Sequence, residues 1–154
     1  MESLTGEFRI TLDDKGRLSL PVRLRNALAD TTLFLTKGMD DCLWLFPSGE
    51  WKEMLNVIVD GTTLFSSSSR TIRRQLIGPS QEVEIDKAGR IPVPQTLREF
   101  AGLSRECVVL GQFNYIEIWS DDRYQAYLEA HKQEFLLGTE ELGNLLKKNK
   151  DLSK

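Results

Sequence analysis

The alternation of apolar and polar residues along this chain occurs twice, and the two occurrences align without a gap. Residues 12–28 lie over residues 85–101, an offset of 73 positions, and their apolar residues coincide. The identical pairs are Asp13/Asp86, Gly16/Gly89, Arg17/Arg90, Pro21/Pro94, Leu24/Leu97 and Arg25/Arg98. Two copies are too few for a stacked solenoid, which needs roughly three or more repeats. The pattern therefore predicts two related units that share or exchange core surface.

Each unit is predicted to form the same series of short elements. Residues 7–12 and 82–85 alternate polar and apolar, as half-buried strands do, and a D-x-x-G-R loop follows each of them. Pro21 and Pro94 then end a short second strand and can open a helix. The further predicted strands are 18–20, 33–36, 43–46, 91–93, 107–110 and 116–119. Short strands mixed with short helices predict an α+β fold.

The segments outside the repeated pattern are predicted to connect or extend the two units. Ser48 is a candidate N-cap for a helix that carries Trp51, and residues 66–69 are expected to form a flexible or capping stretch before a short helix over 71–78. Beyond about residue 130 the pattern favours an amphipathic helix and then a frayed polar tail. The predicted domains are unit 1 at 7–49, a helical connector at 50–79, unit 2 at 80–123, and a C-terminal helix and flexible tail at 124–154.

The composition is that of an ordinary folded protein. Of 154 residues, 40% are hydrophobic and 28% are charged, and no apolar run approaches the roughly 20 residues that cross a bilayer. The N-terminus lacks the basic and apolar regions of a signal peptide, so we expect a cytoplasmic protein without a membrane partner. Cys42 and Cys107 are too few and too far apart to indicate a disulfide framework.

The net charge of −3, from 20 Lys and Arg against 23 Asp and Glu, argues against a protein that coats nucleic acid by bulk attraction. The same net charge is compatible with selective binding by a few arginines that the fold places together. Of the first unit's basic residues, Arg9, Lys15, Arg17 and Arg23 are predicted to lie on or beside one loop, while the acidic residues are spread along the helices and the tail.

No recognisable catalytic or metal-binding pattern occurs in the chain. The single histidine, His131, has no nucleophile at a recognisable spacing, and the cysteines form no C-x-x-C pair, so we expect no metal and no cofactor. Asp13 and Asp86 could form an acid–base pair if the fold brought them together, but each can instead fix its own loop. We predict that the protein is not an enzyme and takes no small-molecule substrate.

The two D-x-x-G-R loops are the candidate binding elements. Gly16 and Gly89 permit the backbone of a tight, exposed turn. Asp13 and Asp86 can then hold the arginine that follows in a defined direction, which makes all four residues loop-fixing. An alternative interpretation is that each arginine only neutralises the aspartate of its own loop.

Arginine suits bidentate contacts with guanine edges and phosphates. The predicted DNA-binding residues are Arg17, Lys15, Arg90, Lys87, Arg9 and Arg23. The residues of unit 2 that match Arg9 and Arg23 are Glu82 and Thr96, which are not basic. The first unit is therefore predicted to carry the stronger nucleic-acid face.

The other arginines and the tryptophans are predicted to be structural. Arg25 and Arg98 lie inside the short helices, and their repetition indicates a structural ion pair. Arg70, Arg73 and Arg74 allow a phosphate-binding interpretation, but a solvated or inter-subunit salt-bridge face is favoured. The residues with core spacing are Trp44, Trp51 and Trp119.

The repeated motifs resemble those of a known family. Residues 13–21 (DDKGRLSLP) and 86–94 (DKAGRIPVP) are similar to the paired swapped-hairpin domains of the SpoVT/AbrB superfamily. Their tandem arrangement resembles the MraZ family, with further likeness at 35–38 and 111–119. The resemblance implies two pseudo-symmetric, AbrB-like swapped-hairpin β units with short helices, plus a C-terminal helix.

The resemblance also implies a sequence-specific transcription factor, more a repressor than an activator, of the division and cell-wall gene cluster. Proteins of that family bind spaced repeats in double-stranded promoter DNA as ring-shaped homo-oligomers such as octamers, in the cytoplasm and nucleoid. Carried over, this assigns DNA contact first to Arg17 with Lys15, and then to Arg90 with Lys87. Asp14 departs from the family's pattern because it adds a negative charge beside the first loop.

Two other interpretations stay open at this point. An AbrB-like antitoxin or protein-partner-binding module would fold its weakly amphipathic C-terminal tail on a partner, although the second complete unit argues against it. An enzyme stays possible only if Asp13 and Asp86 meet in one pocket.

Overall fold

A computed structural model describes residues 3–28 and 31–152 of the chain. The chain divides into two compact units, Met1–Asp121 and Asp122–Lys154. The strands are β1 Leu4–Thr11, β2 Arg17–Ser19, β3 Thr32–Lys37, β4 Leu43–Pro47, β5 Gln81–Glu84, β6 Arg90–Pro92, β7 Glu106–Phe113 and β8 Ile116–Ser120. The helices are α1 Val22–Ala27, α2 Ser48–Asp60, α3 Ser67–Leu76, α4 Gln95–Ala101, α5 Asp121–Ala130 and α6 Lys132–Leu152. The predicted α+β class is confirmed.

The larger sheet is built by exchange between the two repeats. Its strands run in the order β1-β7-β8-β4-β3-β5, and each neighbouring pair is antiparallel. The first strand of each repeat pairs with the third strand of the other, β1 with β7 and β5 with β3, while β4 and β8 meet at the centre. Interchanging the corresponding strands gives the same order in reverse. The two pseudo-symmetric units therefore exchange core surface, as predicted.

Strands β2 and β6 form a separate antiparallel pair, called the ribbon below. Its register is Arg17 opposite Pro92, Leu18 opposite Ile91, and Ser19 opposite Arg90. Leu18 and Ile91 are completely buried. Because successive side chains of a strand point to opposite faces, the other two pairs lie on the face turned away from the core. Pro92, which has no N–H group to donate to a neighbouring strand, occupies an edge strand.

The main core draws on both repeats. Helices α1 and α4 begin directly after Pro21 and Pro94, and each buries a leucine, Leu24 and Leu97. These leucines belong to one cluster with the buried residues of the ribbon and of the larger sheet. Each repeat therefore completes the core of the other, and the loops that precede β2 and β6 are anchored from both sides.

An aromatic cluster attaches helix α2 to the larger sheet. Phe46 packs against Trp44, Trp51 and Tyr115 with ring centroids 5.1–5.9 Å apart. The three tryptophans of the chain, Trp119 included, are at most 8% exposed. Their predicted place in the core is confirmed.

The helix boundaries follow prediction only in part. The N-cap residue of α2 is Pro47, no side chain caps the helix, and Ser48 is already helical. The predicted Ser48 cap is wrong because β4 runs directly into α2 and places the serine one position too late. Of the two alternatives for residues 66–69, a flexible or a capping stretch, the structure shows a cap, since Ser66 Oγ accepts a hydrogen bond from the Ser69 amide at 3.3 Å. Helix α3 consequently begins at Ser67, earlier than predicted.

The C-terminal unit is helical to residue 152, where a frayed polar tail was predicted. Leucines recur at helical spacing through this segment, at Leu142, Leu145 and Leu146. Lysine has high helix propensity, and lysines near the C-terminal end of a helix interact favourably with its dipole. The helix predicted beyond residue 130 is present, whereas the prediction of fraying is wrong for residues 143–152. Residues 153 and 154 of the predicted tail lie outside the described part.

Candidate nucleic-acid interface

The first loop, residues 13–17, is folded around one carboxylate. Asp13 Oδ1 accepts hydrogen bonds from the backbone amides of Lys15 and Arg17, at 2.9 and 2.8 Å. Asp13 Oδ2 accepts a third from Arg17 Nε at 2.8 Å. The Gly16 amide donates to the Asp13 carbonyl at 3.0 Å, and Gly16 has a φ of +74°, which favours glycine. One aspartate thus fixes both the turn and the direction of Arg17.

The second loop, residues 86–90, has the same hydrogen bonds at the corresponding atoms. Asp86 Oδ1 accepts from the amides of Ala88 and Arg90, both at 2.9 Å, and Oδ2 accepts from Arg90 Nε at 3.1 Å. Gly89 has a φ of +79°. The residues that are identical in the two repeats are therefore the ones that determine the shape of the loop.

Both loop carboxyls are held in the charged form. The hydrogen bond from the Arg17 amide, together with that from its side chain, lowers the pKa of Asp13 below the ordinary value of 3.8, and Arg90 does the same for Asp86. The antiparallel ribbon brings the two loops in from opposite ends. Each aspartate therefore binds the arginine of its own loop. The geometry gives no support to an acid–base pair between Asp13 and Asp86.

Arg17 and Arg90 use only one nitrogen of each guanidinium group within the described part of the chain. Each uses Nε to bind its aspartate, and no residue within 3–28 or 31–152 accepts a hydrogen bond from their Nη nitrogens. The side chains are 32% and 31% exposed. Nη is the end of the arginine fork that reaches a phosphate or a guanine edge.

The ribbon places these two arginines on one surface. Arg17 lies opposite Pro92, and Arg90 precedes Pro92 by two residues on the same strand. Diagonal neighbours of this kind lie roughly 7–8 Å apart on one face of an antiparallel pair. Sequence reasoning treated the loops as separate arms, whereas the pairing of β2 with β6 joins their arginines into a single face.

Each loop is also bonded to the other repeat. The Val93 amide donates to the Gly16 carbonyl at 2.8 Å, and the Leu20 amide donates to the Gly89 carbonyl at 2.9 Å. These bonds continue the ribbon at both of its ends. A change in one repeat is therefore expected to be transmitted to the loop of the other.

Arg98 and Arg25 provide a second support across the repeats. Arg98 Nη1 donates to the Val93 carbonyl at 2.7 Å, and Arg25 Nε donates to the Leu20 carbonyl at 2.9 Å. Each guanidinium group fills the space beside the glycine of the opposite loop. These arginines are structural, as predicted, but the predicted ion pair is wrong because both guanidinium groups donate to backbone carbonyls.

The loop tips differ in charge. Lys15 and Lys87 are exposed and add one cation to each loop. Asp14 is exposed as well, so the first loop, with two Asp, one Lys and one Arg, has no net charge. The second loop has one Asp, one Lys and one Arg, which leaves a charge of +1. The charge of the loops themselves therefore does not favour the first unit as the stronger nucleic-acid face.

Arg9 and Arg23 do not gather at the first loop. Arg9 pairs with Asp121, and Arg23 Nη2 donates to Thr5 Oγ1 at 3.2 Å. Thr5 lies near the opposite end of β1 from the loop, roughly 20 Å away at about 3.3 Å per residue. A contact of either arginine with DNA stays a prediction, and it would lie outside the two-arginine face.

Two of the three arginines of α3 bind the segment that connects α2 to α3. Arg70 Nη1 donates to the Leu64 carbonyl at 2.9 Å, and Arg73 Nε donates to Thr62 Oγ1 at 2.7 Å. Arg74 is exposed. The interpretation of the triplet as a phosphate site therefore has no support from Arg70 and Arg73, which are engaged within the chain.

The remaining candidate groups belong to the interior or to helix packing. Cys42 and Cys107 are buried free thiols, and His131 is half-buried, with Nδ1 2.7 Å from the Tyr127 carbonyl. No group of three or more His, Cys, Asp or Glu within the described ranges could hold a metal ion. Among the helices that the structure describes, none combines the length and the apolar character needed to cross a membrane.

Comparisons with known proteins match this chain over most of its length. A family model described as "MraZ protein, putative antitoxin-like" matches residues 3–74 and 76–142. The two matched segments contain one repeat each, so the model recognises both loops together with the elements around them.

Three curated relatives share the name "Transcriptional regulator MraZ". The protein of Treponema pallidum (strain Nichols) is 46% identical over 143 residues, which are 93% of this chain and 96% of the relative. That of Treponema denticola is 42% identical over 142 residues, 92% of this chain and 99% of the relative. That of Saccharopolyspora erythraea is 41% identical over 137 residues, 89% of this chain and 94% of the relative.

Proposed function

The chain belongs to the MraZ family, and on this premise we propose that it regulates transcription by binding double-stranded promoter DNA sequence-specifically. The relatives described above are named transcriptional regulators. The proposed contact element is the exposed face of the ribbon. In this proposal Arg17 and Arg90 contact base edges or phosphates of the DNA, and Lys15 and Lys87 contact phosphates.

The observation that carries this proposal is the common face of Arg17 and Arg90. A two-stranded ribbon fits the major groove of B-DNA, which is about 12 Å wide. Each arginine is oriented by an aspartate at Nε, and its Nη groups have no acceptor among the described residues. Since the aspartates fix this orientation before binding, less side-chain entropy is lost on contact.

Two arginines in one protomer supply few contacts, so strong binding needs several protomers on one DNA molecule. We propose a ring-shaped homo-oligomer, such as an octamer, that places successive ribbons on spaced promoter repeats. Linked binding events raise the effective concentration of each ribbon at its repeat. The net charge of −3 fits this mode because it keeps non-specific attraction to DNA low for each protomer.

The finer parts of the proposal follow from family membership. We propose that the protein acts in the cytoplasm and nucleoid, that its targets include the division and cell-wall gene cluster, and that it represses by occupying the promoter. The loops carry no catalytic role in this account, because each aspartate is engaged by its own loop.

The test is a titration of the full-length protein with fluorescent duplexes covering the DNA upstream of its own gene. Repeat-containing duplexes should bind tighter than scrambled duplexes of equal composition, and single-base scanning should locate the loss of affinity within the repeats. A salt series should give a shallow slope per protomer, because few phosphates are contacted. Equal affinity for scrambled DNA would contradict the proposal.

A further inference from the structure

Helix α6 presents an exposed seam of mostly apolar residues that the proposed DNA contact does not use. Positions 135, 138, 142, 145, 149 and 152 follow one another at alternating spacings of three and four. This is the spacing of the core positions of a coiled coil. The exposed apolar residues of the seam are Phe135 (72%), Leu142 (57%), Leu145 (59%) and Leu152 (78%). A 21-residue helix with such a face gains most of its stability from a packing partner.

The charges of α6 are divided along the length of the helix. The first half carries Lys132, Glu134, Glu140 and Glu141, a net charge of −2, and the second half carries Lys147, Lys148, Lys150 and Asp151, a net charge of +2. A parallel pair of such helices would gather the glutamates at one end and the lysines at the other. An antiparallel pair places each acidic half beside a basic half, and it also opposes the two helix dipoles. The charge pattern therefore complements itself when a second copy is reversed.

We propose that α6 pairs with α6 of a second copy of this chain as an antiparallel coiled coil. In the register that opposes core positions, Phe135 packs on the partner's Leu152, and Leu142 packs on the partner's Leu145. The interface is isologous, so each layer occurs twice. Gly138 faces the partner's Asn149, where a glycine leaves room for a polar side chain.

The surface at the first half of the seam suits this occupant. An open groove of about 900 Å³ borders it, and Phe135, Gly138 and Leu142 are among its lining residues. In the proposed register the second half of the partner's helix, which carries two of the three exposed leucines of the seam, lies along this groove. Glu141 then lies beside the partner's Lys148, just outside the apolar layers.

The pairing is independent of the DNA contact, because α6 contains no part of either loop. Its failure would leave the proposed function standing, and a failure of DNA binding would leave the pairing standing. It adds a contact between protomers that lies in the C-terminal unit, separate from any contact made by the repeats.

The first test removes one apolar layer from the full-length protein. Leu142→Asp should lower the association constant between copies more than about ten-fold, because a charged side chain replaces a buried leucine in two layers. Leu137→Asp is the matched control, since Leu137 is 58% exposed and lies on the opposite side of the helix from the seam. Sedimentation velocity over a concentration series measures both, and circular dichroism checks that the repeats are folded.

The second test uses charge reversal at exposed positions, where folding is not at risk. Glu141→Lys and Lys148→Glu should each weaken association by about three- to ten-fold at low salt, because two attractive pairs become repulsive. The double variant should recover the original constant, while Glu140→Lys, on the outward face, should leave it unchanged. The proposal is overturned if Leu142→Asp behaves like Leu137→Asp, or if the double variant is no better than the weaker single variant. Either result would mean that another partner, or none, covers the seam.

Discussion

The Arg98 guanidinium group of one repeat lies where a β-carbon on Gly16 of the other repeat would have to be. Gly16 is therefore constrained twice, by its φ of +74° and by the arginine packed against it. Arg98 is held in turn by the Val93 carbonyl. The shape of the first loop thus depends on residues about eighty positions away along the chain. It does so because the two repeats exchange core surface, which brings Arg98 and Val93 to the first loop.

Gly16→Ala is expected to destabilise the protein. The left-handed backbone costs a non-glycine residue roughly 1–2 kcal/mol, and Arg98 must leave its place to make room. Gly49→Ala is the control, because nothing lies within 4 Å of a β-carbon at Gly49 and the residue is helical. The control should be neutral or stabilising by up to about 1 kcal/mol. Urea unfolding measures the free energy of unfolding of both variants. Equal changes in the two variants would contradict the claim that Gly16 is constrained by both its backbone conformation and Arg98.

Neutralising the two neighbouring aspartates of the first loop should have opposite effects on DNA affinity. Asp13→Asn removes a charged acceptor for Arg17 Nε, so the arginine loses its fixed direction and affinity falls by about ten-fold. Asp14→Asn removes an exposed negative charge and should raise affinity by about two- to five-fold at low salt. Fluorescence anisotropy with a promoter duplex distinguishes them. A gain in both variants would show that charge alone, and not orientation, controls binding.

Acid should loosen both loops in a defined pH range. The folded-state pKa values of Asp13 and Asp86 lie below 3.8, so their stabilisation is present above pH 3.8 and is lost as pH falls through the folded-state values. The double variant Asp13→Asn, Asp86→Asn should be less stable than the unchanged protein at neutral pH. That difference should shrink below pH 3.8. Unfolding by urea from about pH 6 to about pH 2.5 follows it, and a constant difference would mean that the carboxylates do not fix the loops.

Both cysteines should be inert in the folded protein. Cys42 and Cys107 are at most 1% exposed, and burial raises the pKa of Cys42 strongly and that of Cys107 to about 11. Neither thiolate forms at neutral pH, so a thiol reagent should label both residues only as fast as the protein unfolds. Stopped-flow labelling with and without urea provides the measurement. Rapid labelling of one thiol in native buffer would reveal an opening of the core that the fold does not show.

The sequence was most informative where a feature is local. The spacing of Asp13, Gly16 and Arg17 is enough to predict a tight loop with an oriented arginine, because the hydrogen bonds that Asp13 makes in this loop all lie within five residues. The repeat itself predicts that residues 86–90 do the same. The serine stretch 66–69 was predicted to be flexible or to cap a helix; its first residue, Ser66, is the cap, and the other three are already helical.

Features that depend on pairing between distant segments could not be read in this way. Arg25 and Arg98 were expected to form ion pairs, because the sequence does not show that β2 lies against β6 and brings each arginine to the opposite loop. The same pairing puts Arg17 and Arg90 on one face. The helical structure of residues 143–152 was missed for another reason, since the polar composition of that segment concealed the helical spacing of its leucines.

The most direct test of the central claim compares promoter binding by Arg17→Ala, Arg90→Ala and Arg74→Ala in the full-length protein. The loop arginines should each lower affinity for a repeat-containing duplex by more than about ten-fold, since a bidentate contact contributes roughly 1–3 kcal/mol and is repeated in every protomer. Arg74, an exposed arginine of α3, should have no effect, and the oligomer mass should be the same in all three. Unaltered binding by Arg17→Ala, or an equal loss in Arg74→Ala, would contradict the ribbon face as the DNA-binding surface.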